Sequence, residues 1–220
     1  KSVVFDLRGN PGGLLKEAVD IVNIFVEKGT DVVSTRGKVK DWDKIHKALN
    51  VPVDLNIPIA VLVDRGSASA SEIVSGSIQD LDRGVVIGQR SYGKGLVQQT
   101  RPLSYNAQLK ITVAKYYTPS GRCIQALDYS HRNEDGSVAK VPDSLITAFK
   151  TKNGRIVYDG GGVAPDVKVD QQKYSSILAS LVTKNLIFDY ATKYRNAHAS
   201  IISAKDFKLT NEEYDAFVEY

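Results

Sequence analysis

At 220 residues, with 42% hydrophobic and 25% charged side chains, the chain is long enough for one globular domain and a small appendage. Its formal charge of +4 is scattered rather than gathered in a run, which argues against dedicated nucleic-acid binding. The single cysteine, Cys123, excludes an intrachain disulfide and leaves the redox compartment open.

In chain order, Ser2 to Leu7 reads as a strand. Asn10-Pro11-Gly12-Gly13 then forms a glycine turn before an amphipathic helix over 14–27. The N–H groups of such a turn can face outward as an anion nest, although a plain strand-to-helix turn explains it equally well. Strands follow at 31–35 and 58–63, turn residues at Asp64-Arg65-Gly66, and an Ala- and Ser-rich helix at 68–81. Further strands at 84–88, 96–103 and 108–116 complete an α/β pattern. Cys123 reads as a half-buried strand thiol, and residues 126–160 read as a long excursion off the core.

After Asp170 the pattern becomes helical at 175–184, 187–197 and 211–220. This segment is rich in aromatic and apolar residues, including Phe188, Tyr190, Tyr194 and Phe217, which argues for docking on the core or on parts outside the chain. Two regions result, 1–170 and a helical extension over 171–220. No signal peptide or membrane span is visible. The chain opens on a strand and lacks methionine, so it is expected to begin inside a larger protein. His46, His131 and His198 show no metal-ligand spacing, and neither metal nor cofactor is expected.

Two stretches carry the chemistry. Gly66-Ser67-Ala68-Ser69-Ala70-Ser71-Glu72 places small serines at a helix start, where unpaired N–H groups and the helix dipole favour developing negative charge. Ser69-Ala70-Ser71-Glu72 also fits a capping box, which by itself is the commoner reason for such a pattern. Ser91-Tyr92-Gly93-Lys94-Gly95-Leu96-Val97-Gln98 holds a lysine between two glycines, with no bulky neighbour to keep a substrate away. A serine and an amine base are what a hydrolase needs without an imidazole, provided burial brings the amine from about 10.4 towards neutrality. Most lysines, by contrast, are simply solvated. Asp80 lies about 16 Å from Ser69 along an unbroken helix and should not touch it. Asp80-Leu81-Asp82-Arg83 reads as a solvated helix end with local pairing.

With Asp6-Leu7-Arg8-Gly9-Asn10-Pro11-Gly12-Gly13, Pro119-Ser120-Gly121-Arg122 and Gly161-Gly162-Val163-Ala164-Pro165-Asp166, these stretches resemble the C-terminal processing (tail-specific) peptidases of the S41 type. The resemblance runs in the family's order from residue 1 to about 170. It implies an α/β fold with a crotonase- and Clp-protease-like β-β-α superhelical core. It further implies a serine endopeptidase with Ser69 as nucleophile, Lys94 as base, Gln98 orienting the amine, and the N–H groups of Gly13 and Ala70 as oxyanion hole. Protein substrates recognised by their C-terminus, a PDZ domain upstream, and bacterial export to the periplasm or cell envelope are also implied.

Two other readings compete. Gly88 to Lys94 matches seven positions of a phosphate-binding loop, but Gly95 stands where Ser or Thr would hold magnesium, and a strand pattern follows in place of a helix. The other is a non-catalytic binding or scaffolding member of the same fold, which would be expected to lack the serine or the lysine.

Overall fold

The computed structural model describes residues 1–170 and 174–220, so the first three residues of the expected helical extension lie outside the described residues. The chain divides into two compact units, Lys1–Asp170 and Gln171–Tyr220.

In the first unit a four-stranded parallel sheet has the order β1-β4-β5-β12. Its strands are β1 (Val3–Asp6), β4 (Ile59–Val63), β5 (Val85–Gly88) and β12 (Val167–Lys168). Strand β4 lies between β1 and β5 and alternates Ile59, Val61 and Val63 into the core. Those side chains pack with Ile78, Val86, Ile124 and Val163. A second, antiparallel sheet has the order β3-β2-β7-β6, with β2 at Asp31–Gly37, β3 at Lys44–Lys47, β6 at Leu96–Pro102 and β7 at Gln108–Tyr117. Residues 126–160 form two hairpins, β8 (Leu127–Arg132) with β9 (Val138–Lys140) and β10 (Ala148–Lys150) with β11 (Ile156–Tyr158), and the second is no excursion: Val157 is buried and the Lys152 and Asn153 N–H groups donate to Asp80 O and Asp82 Oδ2. The strand at Leu96–Pro102 removes the helix that a phosphate-binding loop requires after Lys94.

Helix α1 (Leu15–Asn23) is shorter than the sequence pattern predicts. The Ile24 carbonyl is taken by the N–H groups of Val53 and Asp54, and the Asn23 side chain pairs with the Asn50 backbone. The returning chain therefore claims the groups that a further turn would use. Helix α2 (Ala70–Asp80) has every residue buried, polar ones included. Each of these finds a partner: Ser75 Oγ donates to Ser71 O, Ser77 Oγ to Val32 O, and Gln79 Nε2 to Ala164 O.

The helix end is not solvated as the sequence implies. Asp80 is 1% exposed and pairs at 2.8 Å with Arg122, also 1% exposed, which donates as well to Gln79 Oε1 at 2.7 Å. The Pro119–Arg122 motif thus anchors α2 from within, and Asp80 stands at the opposite end of an unbroken helix from Ser69. Arg122→Ala strands a buried carboxylate and is expected to cost roughly 3–5 kcal/mol. The urea midpoint should fall with little change in slope.

The second unit contains α3 (Ser176–Thr183), α4 (Leu186–Ala197) and α5 (Asn211–Glu219). Thr210 and Glu213 form a complete capping box at the start of α5. Tyr190 packs on Phe217 at 5.0 Å, and the Tyr194 hydroxyl donates to Glu213 Oε1.

Candidate active site

Because β1, β4 and β5 are parallel neighbours, the segments leaving their carboxyl ends emerge side by side, as ligand-binding loops do in open α/β sheets. The first carries Asn10 to Gly13, the second Asp64 to Ser69, and the third Gln89 to Gly95. The central position of β4 puts the Ser69 segment between the other two.

Ser69 stands at the N-terminus of α2 with φ 56° and ψ −115°. This is the geometry of the first central residue of a type II′ turn, which glycine normally occupies. Holding a serine there costs on the order of 1–3 kcal/mol, a strain also found where a nucleophile sits on a sharp strand-to-helix turn. Ser69 and Glu72 have the arrangement of a capping box, with the Ser69 side chain towards the Glu72 N–H but not in full hydrogen-bond geometry with it. The Glu72 N–H goes instead to the Ser69 carbonyl at 2.9 Å. The hydroxyl makes no hydrogen bond of full geometry among the described residues, so capping alone does not account for the serine.

Glu72 is fully buried and draws the site together. Its Oε2 accepts from the N–H of Ser69 at 2.9 Å and of Lys94 at 2.7 Å. Its Oε1 accepts from the Ser91 hydroxyl at 2.5 Å and the Gly93 N–H at 2.6 Å. Burial pushes the carboxyl above its ordinary value, with the four donors pulling the other way. Ser91 Oγ in turn accepts from the Val163 N–H, which connects the Gly161–Asp166 motif to the same cluster. Sequence reasoning placed Glu72 only as a capping partner.

The glycines around Lys94 have a packing role that the sequence reading does not give them. A Cβ on Gly93 would meet Ala126 Cβ at 2.4 Å, and one on Gly95 would meet Gln125 N at 2.7 Å. They admit the Ile124–Ala126 backbone. The Lys94 side chain is exposed and has no hydrogen-bond or ion-pair partner among the described residues, Ser69 included. Gln98 does not hold it either, since its Nε2 lies 3.5 Å from Thr112 Oγ1. Lys94 and Gln98 both line a cleft of about 520 Å³ with Leu96, Lys115, Leu127 and Arg132.

Beside Ser69, Gly12 adopts φ +96°, and a Cβ there would meet Ala68 O at 2.5 Å and Ala70 N at 2.7 Å. The glycine is what lets the first segment lie against the second. Neither the Gly13 nor the Ala70 N–H has an acceptor among the described residues, and both residues line one small pocket. Two unpaired amides on adjoining segments, one of them in the residue that follows Ser69, are donors of the kind an oxyanion site uses.

Residues 1–130 match the family model of peptidase family S41, and residues 177–220 match a model described as a probable PDZ-protease C-terminal helical domain. A carboxy-terminal-processing protease of Bartonella bacilliformis is 49% identical over 128 residues, 58% of this chain and 29% of the relative. A probable CtpA-like serine protease of Staphylococcus aureus is 34% identical over the whole chain and 38% of its own length. The chain therefore spans between a quarter and two-fifths of these relatives. Among solved structures, a photosystem II D1 C-terminal processing protease superposes with a TM-score of 0.56 at 31% identity, covering 77% of this chain and 34% of that one. A putative S41 protease of Bacteroides fragilis shares the fold at a TM-score of 0.53 and 14% identity, over 87% of this chain and 45% of its own. With the family model matched from residue 1 to 130 and a relative 34% identical over the whole chain, the chain belongs to peptidase family S41.

Proposed function

We propose that the protein containing this chain is a serine endopeptidase in which Ser69 is the nucleophile and Lys94 the general base. The observation that carries this reading is the single Glu72 oxygen bonded to the N–H groups of both residues, beside a serine whose hydroxyl makes no hydrogen bond of full geometry among the described residues. The neutral Lys94 amine takes the Ser69 Oγ proton as Oγ attacks the scissile carbonyl carbon. The oxyanion receives the N–H groups of Gly13 and Ala70. The ammonium then gives its proton to the departing amine, and water, activated by the same amine, hydrolyses the acyl-enzyme.

The Lys94 side chain is exposed, and the working arrangement needs it covered. Substrate lying in the cleft that Lys94 and Gln98 line would strip water from the amine, and Gln98, turning from Thr112, would orient it. Cleavage near or from the substrate's C-terminus follows the activity in the names of the relatives. A PDZ domain upstream and a place in the periplasm or cell envelope belong to the same reading. In the full-length protein, a peptide with a free apolar C-terminus should be cut well and its amidated twin poorly, with Ser69→Ala inactive on both. Equal cleavage of the two peptides would remove the C-terminal preference, and turnover by Ser69→Ala would remove the nucleophile.

A further inference from the structure

The two amides assigned to the oxyanion lie on different segments, Gly13 after β1 and Ala70 after β4, so catalysis depends on whatever fixes the distance between those segments. One carboxylate oxygen joins them. Asp64 Oδ1 accepts from the Gly9 N–H at 2.8 Å, on the first segment, and from the N–H groups of Gly66 at 2.8 Å and Ser67 at 3.1 Å, on the second. The Ser67 hydroxyl is also 3.3 Å from this oxygen, but its single hydrogen is better placed on Leu7 O at 2.7 Å. Asp64 also gives its own N–H to Ser67 Oγ at 2.9 Å, which closes the ring.

The segments are in contact at this point. A Cβ on Gly66 would come within 3.0 Å of Gly9 Cα and 3.2 Å of Asp64 Oδ1. Nearer the serine, Asn10 O takes the Ala68 N–H at 3.0 Å and the Ser71 hydroxyl at 3.1 Å. The Asp64 end is the part of this seam that a side chain governs alone, because three amides from two segments converge on one atom.

We propose that Asp64 is a positioning residue that sets the spacing of the Gly13 and Ala70 amides, a role that rests on the oxyanion assignment above. It touches no substrate and acts through the backbone of both segments. What it supplies is an acceptor at one fixed point, since all its bonds to the seam go to Oδ1. Burial pushes the carboxyl up, but the Gly9, Gly66 and Ser67 donors outweigh it and hold the group below the ordinary aspartate value. A shift of about 1 Å in a reacting group or its donors can cost up to about 10²-fold in rate.

Three variants of the full-length protein test this. Asp64→Asn keeps the Oδ1 acceptor and should retain kcat within about threefold of wild type, a small change on the scale of losing one oxyanion donor. Asp64→Ala removes the acceptor and Asp64→Glu moves it by about one bond length. Both should lower kcat by about tenfold or more per folded molecule, with KM within about twofold, as for an interaction made only in the transition state. A peptide boronate, whose adduct places an oxygen between the two amides, should lose affinity by the same factor as kcat. Binding of uncleaved peptide in a Ser69→Ala background should not change. If Asp64→Ala does not fold, the contrast between Asp64→Glu and Asp64→Asn carries the test. The proposal is overturned if Asp64→Asn is as impaired as Asp64→Glu. It is equally overturned if Asp64→Ala and Asp64→Glu lower stability alone, with unchanged kcat and boronate affinity per folded molecule. Turnover by Ser69→Ala, by contrast, would overturn the catalytic reading whatever the Asp64 variants do.

Discussion

Lys94→Arg is expected to lower kcat/KM on peptide substrates by about 10²-fold or more, nearly as far as Ser69→Ala, while leaving the fold intact. The substitution separates charge from basicity. Arginine keeps a cation of similar reach, but with a pKa above about 12 it cannot take the Ser69 proton. The fold should tolerate the change because Lys94 contributes to the cluster through its backbone N–H, bonded to Glu72, while its side chain is exposed and without a partner among the described residues. Were Lys94 only to attract the substrate or stabilise an oxyanion, arginine would retain much of the activity with a raised KM. Steady-state kinetics on protein verified as folded by circular dichroism decide the matter. Retention of more than about a tenth of wild-type kcat, well inside the loss expected of a missing base, would withdraw the role of base from Lys94.

Glu72→Ala should damage both stability and activity. The carboxylate accepts from Ser69, Ser91, Gly93 and Lys94, and its removal leaves these donors facing a small cavity in the core. At about 1–3 kcal/mol for each buried unsatisfied group, with partial relief from water, the loss should be on the order of 4 kcal/mol or more. For a chain of this size that lowers the melting temperature by roughly 10 °C or more. Activity should fall further than the unfolded fraction accounts for, because the strained Ser69 backbone and the Lys94 segment are held by the same oxygen. Glu72→Gln should lie between the two, since its amide retains one acceptor oxygen but turns two hydrogens towards existing donors. Thermal melts paired with active-site titration separate the effects. A Glu72→Ala protein with wild-type stability and kcat would show that the cluster does not organise the site.

How much of this could be read from the sequence depends on the range of the interactions. Three of the four parallel-sheet strands are legible because each is a short apolar run bounded by glycine or turn residues, as at Ile59–Val63 before Asp64-Arg65-Gly66, whereas the two-residue β12 has no such run and exists through its pairing with β5. Strand β3, Lys44–Lys47, is not legible either, since it has no apolar run and exists through its pairing with β2. The start of α2 and the Ser69–Glu72 bond are legible from small residues and a capping pattern, whereas the bonds that tie the same carboxylate to Ser91, Gly93 and Lys94 lie across the fold and no local pattern reveals them. Asp80 was misread for the same reason: its partner Arg122 comes from a distant turn, and a charged residue at a helix end ordinarily faces water. The glycines flanking Lys94 are plain in the sequence, but the close passage of Ile124–Ala126 that requires them is tertiary.

The most direct measurement is mass spectrometry of the intact full-length protein after reaction with a peptidyl phosphonate, which labels only a hydroxyl activated by a neighbouring base and oxyanion donors. The account predicts one adduct on the wild-type protein, mapped by peptide digestion to Ser69, and none on Ser69→Ala. It also predicts labelling slowed by about 10²-fold in Lys94→Arg. An adduct on Ser67 or Ser71, or labelling of Ser69→Ala at the wild-type rate, would contradict it.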